Sequence, residues 1–124
     1  MQFARRVFTF AGLYGIVVLS PLYFLEDRIG RDNPPSITHP EYLYGFVGSA
    51  LAWQVLFLVL GRDPRRYRPM MIPSVLEKLG WGVATIVLFA QGRLAGSVLG
   101  FGLVDLGLGA LFALAFVRTA GATR

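Results

Sequence analysis

Asp105 is the residue most able to do chemistry in this chain. It is the one charge between Leu94 and Val117 and stands near the middle of that apolar run. A carboxylate at the centre of a bilayer is disfavoured by about 2.5–3.5 kcal/mol on insertion scales, so such a group faces other helices and is neutralised or paired. Gly102 at i−3 and Gly109 at i+4 share its helical face, and glycines let another helix come close. Two uses follow. The carboxyl can hold a proton, an ion or a ligand, or it can fix packing through a hydrogen bond. Gln54 and Tyr14 are also mid-span polar groups, and their depths suit them as partners.

Glu77 is the second candidate. Ser74 and Glu77 have the S-x-x-E spacing of a capping box, which satisfies the free N–H groups of a helix start. The other reading is an inward-facing carboxylate on a stripe with Gly80, Trp81, Ala84, Leu88 and Gln91. Lys78 is turned about 100° from Glu77, which predicts that it snorkels to lipid headgroups. The rise per residue separates Glu77 and Asp105 by about 10–15 Å in depth, which speaks against a paired-carboxylate acid/base site.

The single histidine, His39, could join Asp27 or Asp32 in a metal or proton site. A solvated loop whose prolines fix the helix entry is the plainer reading. One histidine and no cysteine exclude local His-His zinc motifs, thiolate catalysis, iron–sulfur clusters and disulfides. No metal or other cofactor is expected.

These residues are positioned by apolar segments. The chain has 124 residues, 55% of them hydrophobic, and a mean hydropathy of +0.58. That composition places it among membrane proteins. A spanning helix needs about 20 residues at about 1.5 Å each. Four runs qualify: 7–25, 42–60, 74–91 and 94–117. The first follows Arg5-Arg6 as a signal peptide would. It is read as a retained helix, because no small-x-small cleavage site follows it.

Between the first two runs lies EDRIGRDNPPSITHPE, residues 26–41, whose prolines rule out a regular helix through it. Gly61 is expected to stop the second helix, and Asp63-Pro64 to make a turn in the loop 61–73. Gln91-Gly92-Arg93 reads as a tight turn. Connections this short make consecutive helices antiparallel, so the predicted fold is an all-α, up-down-up-down four-helix membrane bundle, a single transmembrane domain.

The formal net charge is +5. Arg5, Arg6, Arg62, Arg65, Arg66, Arg68, Lys78, Arg118 and Arg124 fall on one side. Arg28, Arg31 and Arg93 fall on the other. The positive-inside rule then puts both termini in the cytoplasm and the 26–41 loop outside. So strong a bias argues against dual-topology exporters and fluoride channels. Arg62, Arg65, Arg66 and Arg68 are candidates for anionic lipid headgroups, at about 1 kcal/mol each. The basic residues lack the face and stacking module of a nucleic-acid binder. Membrane lipids are the expected partners. Gly96-x-x-x-Gly100 and Ala11-x-x-x-Gly15 announce close packing, within the chain or with a second copy or membrane partner.

The stretches THPEYLYGF, ALAWQ, GRDPRRYRP and FGLVDLGLGALF resemble those of small uncharacterised bacterial four-helix membrane proteins. More loosely, the span layout is similar to that of DoxX-like membrane proteins. The resemblance implies a bundle in a bacterial cytoplasmic membrane and carries no catalytic motif. The leading expectation is a non-enzymatic packing or accessory subunit. The alternative is a binder of, or enzyme acting on, a small lipophilic ligand held near Asp105, Gln54, Glu77 and Tyr14.

Overall fold

A computed structural model describes residues 1–121 of the protein. Arg124, counted above among the basic residues, lies outside them. The fold is all-α. Helices α1 (Gln2–Leu19), α3 (Pro40–Arg62), α4 (Met71–Ala90) and α5 (Gly96–Arg118) are long. Helix α2 (Glu26–Asp32) has seven residues. With its flanking turns, each long element is a 23-residue apolar stretch, or about 34 Å at about 1.5 Å per residue, enough to cross a bilayer core. Large apolar side chains cover the outside: Val17 is 73% exposed, Phe24 87% and Val117 67%. A belt of that kind is stable against lipid and not against water.

The helices exceed the apolar runs that announce them. Helix α1 takes in Arg5 and Arg6, whose charges lie on its exposed face. It tightens into a 3₁₀ turn over Ser20–Phe24, where Pro21 removes a backbone donor. Gly61 does not end α3. It is buried inside the helix, where an added Cβ would lie 2.6 Å from Thr9 Oγ1 on α1. The 26–41 segment does hold a helix. Glu26 and Asp27 occupy the first turn of α2, where carboxylates suit the helix dipole, and the prolines begin only after its end at Asp32.

The capping box at Ser74 does not form. A 3₁₀ turn over Arg68–Met70 runs directly into α4, so the helix starts at Met71. Ser74 is interior, and its Oγ donates to Met70 O at 2.7 Å. Glu77 therefore lies about one turn deeper than a start at Ser74 would put it. The Gln91–Arg93 turn is observed, with Gly92 at φ +70°, a conformation that favours glycine.

Helices α1 and α3 pack closely, as do α4 and α5, and the two pairs meet chiefly through α1 and α5. Three phenylalanines knit the arginine-rich end. Phe8 stacks on Phe112 at 4.3 Å between centroids, and Phe57 meets Phe112 edge-on at 4.9 Å. Leu60, Met71 and Ala115 complete this core, and all are fully buried.

Candidate functional site

The buried charge cluster centres on Lys78. Its side chain is 2% exposed, so it does not snorkel to headgroups as expected. Lys78 Nζ donates to Asp105 Oδ1 at 3.3 Å and lies 3.6 Å from Glu77 Oε2. It also sits 5.2 Å from the centre of the Phe57 ring, within reach of a cation–π contact.

Two features bring these groups together. The early start of α4 carries Glu77 deeper. The α4–α5 hairpin then sets Lys78 level with Gly109, where an added Cβ would lie 3.1 Å from Lys78 Cβ. The absence of a side chain at Gly109 leaves room for the lysine stem. Asp105 is one turn nearer the start of α5, and the stem is long enough to reach it. Both carboxylates thus meet one nitrogen, at 3.3 and 3.6 Å, so the expected separation of the two groups in depth does not hold for their carboxyl oxygens.

Gly102 and Gly109 do share a face with Asp105, and it is the face turned to α4. An added Cβ at Gly102 would collide with Thr85.

The cluster forms the floor of a cavity of about 310 Å³ that runs between the two helix pairs toward the α2 end. Its walls are mainly apolar. Val18 belongs to α1, Leu22 to the 3₁₀ turn after it, Ile29 to α2, and Val98 and Phe101 to α5. Phe46 of α3 stacks on Trp81 of α4 at 6.1 Å, and both rings line the space. A cavity of this size falls at the small end of ligand sites.

Tyr14 and Gln54 line the same cavity, so all four residues singled out in the apolar spans converge there. Among the described residues, however, no hydrogen bond joins Tyr14 or Gln54 to Asp105; the partner of Asp105 is Lys78.

Gln54 is 1% exposed. Its Nε2 donates to Ala50 O at 2.8 Å, while its buried Oε1 has no donor among the described residues. Flipping the amide would not help, because it would set the Gln54 side-chain oxygen against the Ala50 carbonyl oxygen, two acceptors face to face. Gln54 packs where Gly15 lacks a side chain, which assigns Ala11-x-x-x-Gly15 to the α1–α3 contact within one chain. Gly96 and Gly100, by contrast, have open space where a Cβ would project.

Other candidates lie apart. His39 Nδ1 pairs with Glu41 Oε1 at 3.1 Å, not with Asp27 or Asp32. Among the described residues, no three metal-ligating side chains gather. Arg62, Arg65 and Arg66 are exposed at their end of the bundle. Arg68 is not a free headgroup ligand. Its Nε and Nη2 donate to Phe116 O at 3.2 and 2.7 Å, Nε also donates to Thr119 Oγ1 at 3.1 Å, and the guanidinium lies 3.8 Å from the Phe116 ring centre. The last carbonyls of α5 have no partner within the helix, and arginine supplies one.

No protein-family model matches the chain, no curated protein matches its sequence, and no solved structure matches its fold. The site therefore has to be interpreted from its own geometry.

Proposed function

We propose that this chain is a membrane-embedded binding protein that holds a small amphipathic molecule in the cavity. The observation carrying this reading is an apolar-walled space with three ionisable side chains and an unsatisfied Gln54 carbonyl oxygen at its polar end. A helix bundle that needed only packing would gain by closing that space, because every lining atom forfeits dispersion contacts across it. The aromatic and aliphatic walls would take the apolar body of the ligand. Glu77, Lys78 and Asp105 would take its head group, with Tyr14 and Gln54 beside it.

The two tryptophans make a direct test possible. Trp81 lines the cavity, whereas Trp53 packs against Phe57 in the core. In a Trp53→Phe background, a quenching amphiphile should reduce Trp81 emission saturably. Ala50→Phe, which fills the cavity, should remove the saturable part. Quenching that rises linearly and equally in both proteins is partition into lipid, and would sink the binding reading.

One observation favours a second reading, that of a packing or accessory subunit. The Lys78–Asp105 contact itself ties α4 to α5. On that reading the cavity-filling variant is more stable than the parent and nothing binds saturably.

The distribution of charge supports an orientation with both termini on the cytoplasmic side. With Lys78 inside the bundle, Arg5, Arg6, Arg62, Arg65, Arg66, Arg68 and Arg118 stand at one end, against Arg28, Arg31 and Arg93 at the other. A bacterial cytoplasmic membrane is part of the same proposal, a reading supported by the resemblance of THPEYLYGF, ALAWQ, GRDPRRYRP and FGLVDLGLGALF to stretches of bacterial four-helix membrane proteins. The exposed Arg62, Arg65 and Arg66 would then meet anionic headgroups. Reporter fusions at the C-terminus and in the 33–39 loop should report opposite sides.

A further inference from the structure

Building on that binding reading, we infer that the cavity selects a lipophilic amine, held as its ammonium ion, over neutral or anionic molecules of the same shape. Three observations lead there.

The first is charge. Two carboxyl groups face one ammonium, so with all three ionised the cluster carries one uncompensated negative charge. The second is hydrogen bonding. Among the described residues Gln54 Oε1 has no hydrogen-bond donor, and Glu77 Oε2 faces Lys78 Nζ at 3.6 Å, longer than a good hydrogen bond. Lys78 is the cation of the cluster, and it is already directed at Asp105 and Glu77. With all three ionised, the polar end of the cavity thus holds more negative than positive charge, and a protonated amine brings a further cation together with N–H donors. A carboxylate or phosphate head would add negative charge and further acceptors to a site that already has them in excess. The third is the walls. Phe46 and Trp81 present aromatic surface to the same space, and aromatic faces attract cations.

The preference rests on charge balance, so it can be separated from binding as such. The probes are 2-phenylethylamine, 2-phenylethanol and 3-phenylpropanoate, titrated by Trp81 fluorescence in phosphatidylcholine nanodiscs. The zwitterionic lipid keeps the bilayer surface from concentrating the cation. The amine should bind at least about tenfold more tightly than the alcohol, the size of one charge-assisted hydrogen bond, and the carboxylate more weakly than either. Glu77→Gln leaves one carboxylate against one ammonium. In that variant the ratio of amine to alcohol affinity should fall toward one.

Equal binding of amine and alcohol by the unmodified cavity overturns the inference, since the uncompensated charge is then already met by a proton. The binding reading survives that result. Tighter binding of the carboxylate also overturns the inference. Saturable binding of none of the three removes both this inference and the reading beneath it. Should Glu77→Gln fail to fold, the ratio measured on the unmodified cavity still decides.

Discussion

At the arginine-rich end of the bundle, Phe8, Phe57 and Phe112 meet ring to ring, and Arg68 fastens the end of α5 to the turn before α4. Toward the α2 end the same four helices stand around a cavity of about 310 Å³. Both ends are built from aromatic and aliphatic side chains, so composition does not separate them. What differs is what each side chain touches. Lipid tails are as apolar as leucine, so helices in a bilayer are held by close packing and hydrogen bonds rather than by exclusion of water. The filled end supplies that packing. The hollow end can then keep polar groups that packing alone does not call for.

Lys78→Met should have the largest effect. It leaves Glu77 and Asp105, both half-buried, without a cation; breaking fully buried pairs in this way costs about 3–5 kcal/mol, which bounds the loss from above. Unfolding in mixed micelles measures it, and a loss below 1 kcal/mol on the same scale would mean that the cluster is already neutral without lysine.

Phenylalanine truncations sharpen the contrast between the ends. Phe112→Ala opens about 100 Å³ in a filled core, and the cavity term alone costs roughly 2 kcal/mol at about 24 cal/mol per Å³. Phe101→Ala enlarges an existing cavity and should cost well under half of that. Equal losses would mean that the two ends are packed alike.

A pair of glycines on α5 gives the last comparison. Gly102→Ala places a methyl group against Thr85 and should destabilise by about 1–3 kcal/mol, as overpacking does. Gly100→Ala meets open space and should be neutral, or stabilising by up to about 1 kcal/mol through helix propensity. Strong destabilisation at Gly100 would instead reveal a second copy or a partner against α5.

The spans and the Gln91–Arg93 turn were legible because long apolar runs admit few alternatives in a bilayer. The convergence of Asp105, Gln54, Glu77 and Tyr14 was legible only as a shared tendency to face inward. Lys78 was missed. A long lysine stem can snorkel or lie buried, and the S-x-x-E spacing at Ser74 points to a later helix start than the one observed at Met71. The useful signal was the reflection of positions about the tight turn, which sets Lys78 level with Gly109 and so within reach of Asp105. The early start of α4 left little trace, because Arg68-Pro69-Met70 could equally be read as a loop. The short α2 was hidden by the prolines that follow it.

Because the chain has no cysteine, an introduced thiol is unique. Ala50 and Ala11 are both buried, but Ala50 lines the cavity and Ala11 lies in the packed core with Phe8. The central claim is therefore tested most directly by labelling Ala50→Cys and Ala11→Cys with a small water-soluble thiol reagent, with and without a lipophilic amine. The account predicts that Ala50→Cys reacts, that the amine slows it, and that Ala11→Cys stays inert. Equal inertness of the two, or reaction at Ala50→Cys that no amphiphile slows, would contradict it.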